Sequence, residues 1–201
     1  MPKLRLAIMG STRGTDMQAI IDAIKQKKLD ATIELVVSDK KDAPILERAR
    51  RASIETVYAD YKKFASRPET EKWVAEQLKK KMVDLVLLIG YMKILSPYFV
   101  NEFVHRIWNI HPSLLPKYAG GMDTNVHEQV LNAGEKETGC TLHEVSKEVD
   151  TGKIIMQKKV RIEKGENADS LKEKVQKAEQ ECLLEALKMV IDGKIVIGEQ
   201  K

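Results

Sequence analysis

An open, mostly parallel α/β sheet with helices on both faces is the fold class that this 201-residue sequence predicts, on three observations. Strand-like and helix-like segments alternate through the first half, a pattern that calls for parallel strands joined by right-handed crossovers. The run 83–89 is apolar throughout apart from Asp84 and rich in Val, Leu and Ile, as a central strand covered on both faces must be. In the second half, the strand-like runs 138–145 and 154–160 lie too close in sequence for a helical crossover, so they extend the sheet as an antiparallel pair.

Taken in order, residues 4–9 read as a short buried strand, and Gly10-Ser11-Thr12-Arg13-Gly14-Thr15-Asp16 as a polar turn. The following helix gathers Ile20, Ile21 and Ile24 on one side. A second strand spans 33–37, and 44–51 is a helix with Pro44 near its first turn, where a missing N–H costs nothing. A brief strand at 55–58 precedes an amphipathic helix over 68–80 carrying Trp73, Val74 and Leu78. After the apolar strand, Ser96-Pro97 starts a helix, with Ser as the cap and Pro at the first helical position. A strand at 106–110 and a helix at 123–133 come next. The last helix, 170–191, repeats Leu171, Val175, Ala178, Cys182, Ala186 and Met189 at spacings of three and four; Ser170 and Glu173 fit a capping box and Gly193 its stop. With no internal repeat, linker or low-complexity segment, 1–201 is expected to be a single domain of Rossmann-like architecture.

Composition narrows the function classes. The net charge of +4 comes from Lys and Arg intermixed with Glu and Asp, so no basic stripe points to nucleic acid. Cys140 and Cys182 lie far apart in apolar contexts, which suits buried reduced thiols. The four histidines show no metal-ligand spacing, and no metal is expected. No apolar run reaches membrane-spanning length and the N-terminus lacks a signal-peptide pattern, so a cytoplasmic protein without membrane contact is expected.

The most informative stretch is Trp108-Asn109-Ile110-His111-Pro112-Ser113-Leu114-Leu115-Pro116. Side chains two apart on a strand share a face, so Asn109 and His111 project together where the strand gives out. An amide can hydrogen-bond an oxyanion and an imidazole can carry a proton. Asp150, in Glu148-Val149-Asp150-Thr151-Gly152, supplies an acid in the turn between the two late strands. The first turn, Gly10 to Asp16, joins a strand to a helix, where backbone N–H groups can converge on a phosphate; its glycine spacing is neither the dinucleotide fingerprint nor the P-loop, so the residues alone fit a phosphate site or a simple tight turn. Asp39 follows the second strand at the distance of a dinucleotide ribose contact, but without that fingerprint it reads as a loop aspartate.

These blocks, together with Thr138-Gly139-Cys140-Thr141-Leu142-His143 and Val149-Asp150-Thr151-Gly152, resemble the phosphoribosylglycinamide formyltransferases, folate-dependent enzymes of purine synthesis, over nearly the whole chain. The resemblance implies transfer of a formyl group from 10-formyltetrahydrofolate, as co-substrate, to glycinamide ribonucleotide. Asn109, His111 and Asp150 become the catalytic residues, with Thr141 and His143 supporting them. Gly14, Thr15, Asp16, Pro112, Gln176 and Glu179 are implied to hold the ribonucleotide, and Met92, Lys93, Ile94 and Leu95 the folate. The family more often has Asn where this chain has Asp16; a carboxylate would repel phosphate, so Asp16 is expected to cap the helix while the backbone binds the anion and Arg13 compensates. His105 and His127 are expected to be structural. Asp150 is expected to hold the His111 pKa above its ordinary value of about 6.5. The segment 117–126, longer than usual and with Gly120-Gly121, suggests a lid, and the assembly is expected to be a monomer or homodimer.

Other members of the wider group share the triad. Methionyl-tRNA formyltransferase typically adds a C-terminal tRNA-binding domain and formyltetrahydrofolate hydrolase an N-terminal regulatory one, neither of which a chain running from a first strand at Leu4 to Lys201 is expected to carry. A catalytically silent nucleotide or folate sensor is the alternative outside enzymes, and an intact Asn109, His111 and Asp150 argues against it.

Overall fold

A computed structural model describes residues 3–120 and 124–198. The elements run β1 (Leu4–Met9), α1 (Thr15–Lys25), β2 (Ala31–Ser38), α2 (Pro44–Arg51), β3 (Thr56–Tyr58), α3 (Arg67–Lys80), β4 (Leu85–Leu88), α4 (Pro97–Glu102), β5 (Ile107–His111), α5 (Thr124–Asn132), β6 (Glu137–Glu144), β7 (Ile154–Arg161) and α6 (Ala168–Ile191). They form one sheet in the order β3-β2-β1-β4-β5-β6-β7. The first five of these strands pair in parallel, while β6 and β7 join antiparallel. This is the expected open α/β architecture.

Two apolar layers sandwich the sheet. Met17 and Ile20 of α1, Ile45 of α2 and the Leu171, Val175, Cys182 and Leu183 row of α6 pack on one face. Val74 and Leu78 of α3 and Phe99 of α4, with Phe103 just beyond it, cover the other. The strand order reverses direction at β1: β2 lies to one side and β4 to the other. Neighbouring connections therefore leave on opposite faces, opening a crevice beyond the carboxyl ends of β1 and β4.

Several boundaries differ from the sequence reading. The buried strand contracts to Leu85–Leu88, and β5 reaches His111 rather than stopping at Ile110. The last helix starts two residues early because Asn167, not Ser170, is its cap: Asn167 Oδ1 accepts from the Ser170 N–H at 2.9 Å and Ser170 closes the box. Gly193, at φ 72°, ends α6 as expected, its own N–H and that of Lys194 reaching back to Val190 and Met189. The helix expected over 123–133 is α5, with residue 123 outside the described residues, and residues 121–123 of the expected lid fall outside them as well. Among the described residues no helix is long and apolar enough to cross a membrane.

Candidate active site

β5 builds the centre of the site. Its parallel neighbour β4 and antiparallel neighbour β6 hold it on both sides, so its alternation is fixed. Asn109 and His111 emerge on one face at its carboxyl end, and both line the large cleft of the molecule. Asn109 sits opposite His143 in the register and His111 opposite Thr141.

Asp150 arrives from the β6–β7 connection. Gly152 allows that turn to lie against the end of β6: a Cβ on it would fall 1.8 Å from the Glu144 carbonyl oxygen. Asp150 takes a left-handed backbone conformation, φ 56°, which turns its carboxylate toward β5. Oδ2 stands 3.4 Å from His111 Nδ1 and accepts the Gly120 N–H at 2.8 Å. Oδ1 stands 3.4 Å from His143 Nε2.

The hydrogen bonds assign the protons on both imidazoles. His111 Nε2 faces the Tyr118 carbonyl at 3.0 Å, and a carbonyl can only accept, so Nε2 carries the proton of neutral His111. Nδ1 is then left bare toward Asp150. His143 Nδ1 faces the Glu144 carbonyl at 2.9 Å in the same way, so His143 Nε2 accepts from the Asn109 amide at 3.0 Å. That bond fixes which end of Asn109 is the donor and leaves its second N–H for a ligand.

Burial is the largest influence on His111 and disfavours its charged form; Asp150 and the Tyr118 carbonyl pull the other way, and His143 adds to the lowering. The net pKa falls below the ordinary histidine value. The expectation of a raised pKa is thus corrected, because His111 is 3% exposed and desolvation outweighs a carboxylate 3.4 Å away. Burial also opposes charge on Asp150, but the neighbouring His143 ring, the Gly120 N–H and His111 prevail, holding it below the usual carboxylate range. The resting pair is therefore neutral imidazole and carboxylate.

At one end of the cleft lie the Gly14–Asp16 turn, Pro112, and Gln176 and Glu179 of α6. Gly14, at φ 66°, is the residue before α1, and a Cβ there would run into Ile45. Asp16 does not cap this helix, contrary to expectation: no side chain caps α1, and Asp16 is turned inward and 6% exposed. Burial pushes its carboxyl up to about 7, with the Gln180 amide as a partial offset.

The other end is walled by Met92, Lys93, Ile94 and Leu95 on one side and 145–149 on the other. Sequence reasoning missed how the first wall is held. Ser11 Oγ donates to Asp39 and accepts the Met92 N–H at 2.9 Å, while the Ser11 N–H donates to the Gly90 carbonyl at 3.0 Å. Asp39 thus serves as an anchor in the chain itself. Glu71 of α3, fully buried, accepts the Ser96 N–H at 2.8 Å and closes the far end of the segment. Thr141 does not reach the cleft: it donates to the Ser113 carbonyl and accepts the Leu115 N–H, pinning the turn behind His111. His105 pairs with Glu144 as a structural residue. His127 of α5 was read as structural too, yet it lines the cleft.

Residues 4–187 match the family described as formyl transferase. The chain is 41% identical over 197 residues to the trifunctional purine biosynthetic protein adenosine-3 of Gallus gallus, covering 98% of this chain and 19% of that protein. It thus spans about a fifth of the length of that trifunctional relative. It is 37% identical to the phosphoribosylglycinamide formyltransferase of Escherichia coli (strain K12), covering 98% of this chain and 91% of that one. Among solved structures, glycinamide ribonucleotide transformylase 1 from Symbiobacterium toebii superposes with a TM-score of 0.90 at 36% identity, over 97% of this chain and 91% of that one.

Proposed function

This chain belongs to the formyl transferase family, and we propose that it moves a formyl group from 10-formyltetrahydrofolate to the amine of glycinamide ribonucleotide, in purine biosynthesis in the cytoplasm. The observation that carries the reading is the convergence of Asn109, His111 and Asp150 midway along a cleft whose two ends differ in chemistry. One end offers a helix N-terminus and the carboxyl of Glu179, suited to phosphate and ribose hydroxyls. The other offers an apolar segment with fixed backbone groups, suited to a flat heterocycle.

The substrate amine is itself the nucleophile, so no covalent enzyme intermediate is needed. Its attack on the formyl carbon forms a C–N bond and pushes the carbonyl pair onto oxygen. The free N–H of Asn109 donates to that oxyanion. The bare Nδ1 of His111 takes the proton released by the amine, and the resulting imidazolium rests between the Tyr118 carbonyl and Asp150. Collapse breaks the bond to the folate nitrogen, and His111 returns the proton to that leaving group. Depressing the His111 pKa suits this role, since a base must be empty at the start.

The test is a spectrophotometric turnover assay with purified protein, 10-formyltetrahydrofolate and a panel of amines. Turnover with glycinamide ribonucleotide above the other amines is expected. Folate release without an acceptor amine would make the protein a hydrolase, and turnover with another amine would reassign the substrate.

A further inference from the structure

Asp16 has no part in the chemistry just described, yet it is a buried carboxyl on the wall of the cleft. It is 6% exposed, and its Oδ1 has no hydrogen-bond partner. It stands in the first turn of α1, beside the backbone N–H groups that the helix leaves unpaired. A carboxylate buried this way loses its hydration, and the Gln180 amide restores only part of it. A dianion seated on the same turn would then face a like charge in a water-poor corner.

We propose that Asp16 takes up a proton when the substrate phosphate binds, so that the anion seats beside a neutral carboxyl. This rests on the ribonucleotide reading above. The step is a simple protonation: solvent supplies the proton, the carboxyl holds it, and it returns on release of the phosphate. The unpartnered buried oxygen then carries no charge, and the anion no longer faces a like charge. Burial already pushes the carboxyl up to about 7, so little further shift is needed near neutrality.

The charged groups around it fit this arrangement. From α6, Glu179 and Lys172 line the same end of the cleft, and Gln180 hydrogen-bonds the Asp16 carboxyl. From α5 comes His127, and from the preceding turn Arg13. From α2, Arg48 is turned away to the Arg13 carbonyl and Gln18, so it does not neutralise Asp16. Glu179 is itself 7% exposed, so a second carboxyl shares this end of the cleft with Asp16.

The experiment is calorimetric titration with glycinamide ribonucleotide in buffers of differing ionisation enthalpy, for the wild type and Asp16→Asn. Near pH 8 the wild type is expected to take up close to one proton more than the variant. Its affinity should fall about tenfold per pH unit above the titration range of the carboxyl, with a much flatter profile for the variant. The comparison cancels the ionisation of the phosphate itself, which titrates near pH 6. Equal proton counts in the two proteins would overturn the proposal. Failure of the ribonucleotide to bind either protein would instead remove the functional reading, and this inference with it. Should Asp16→Asn fold poorly, infrared difference spectra of the wild type decide: a protonated carboxyl band gained on binding near pH 8 supports the proposal, and its absence overturns it.

Discussion

His111 presents Nδ1 to Asp150 Oδ2 across 3.4 Å while its Nε2–H is held by the Tyr118 carbonyl. One nitrogen is thus locked as a donor, and the other is free to gain and lose a proton beside a carboxylate. Replacing Asp150 by Asn keeps the size of the side chain but removes the charge that stabilises the imidazolium. Asp150→Asn is therefore expected to lower kcat by about 10²–10⁴ with both substrates still binding. Steady-state kinetics with parallel binding titrations check this; turnover near wild type would remove Asp150 from the mechanism.

His111 should titrate below about 6.5 in the free protein, because burial outweighs the Asp150 carboxylate. In Asp150→Asn it should fall further, since the raising influence is gone. The sign for stability follows. A histidine with a lowered folded pKa binds fewer protons than the unfolded chain just below its ordinary value. Its contribution to stability is full above about 6.5 and is lost as pH falls toward and through the folded pKa. An NMR titration of the ring protons tests both statements, and a rise on loss of Asp150 would reverse the assignment.

Asp16 should destabilise the folded protein above neutrality. Its folded pKa of about 7 exceeds the unfolded value of 3.8, so the folded state prefers the neutral carboxyl. The cost begins as pH rises through the unfolded pKa and is complete above the folded one. Asp16→Asn should then gain about 1–4 kcal/mol near pH 8 and little near pH 4. Urea unfolding at the two pH values measures this; an equal effect at both would mean that the carboxyl does not change its ionisation on folding.

Ser11→Ala should loosen the Met92 segment. It removes the acceptor for the Met92 N–H and the donor to Asp39 at once. A hydrogen bond of this kind contributes about 1 kcal/mol, so the folate KM should rise about 3–10-fold with kcat little changed. A change confined to kcat would show that Ser11 acts on the chemistry and not on the folate wall.

Much of the site was legible because it follows local rules. Alternation on β5 puts Asn109 and His111 on one face whatever surrounds them, and the Asp-Thr-Gly turn marks where an acid can enter. Asp16 was misread and Ser11 missed for the opposite reason. Whether a polar residue in a turn caps its helix, anchors a distant loop or lines a cleft depends on what packs over it. Asp16 lies under α6, more than 150 residues later, and Ser11, just past β1, meets Met92, just past the neighbouring β4 and 81 residues on.

The sequence by itself determined the alternation of strands and helices, the parallel first half, the antiparallel β6–β7 pair, and the residue types at the chemical centre. These depend on periodicity and backbone stereochemistry, which act over a few residues. Only the tertiary structure decided the charge states. The neutral His111, the ionised Asp150 and the elevated Asp16 carboxyl reflect how much water each has lost against how many dipoles and charges it has gained. Desolvation sums over every element packed around a group, so no local pattern of residues encodes it.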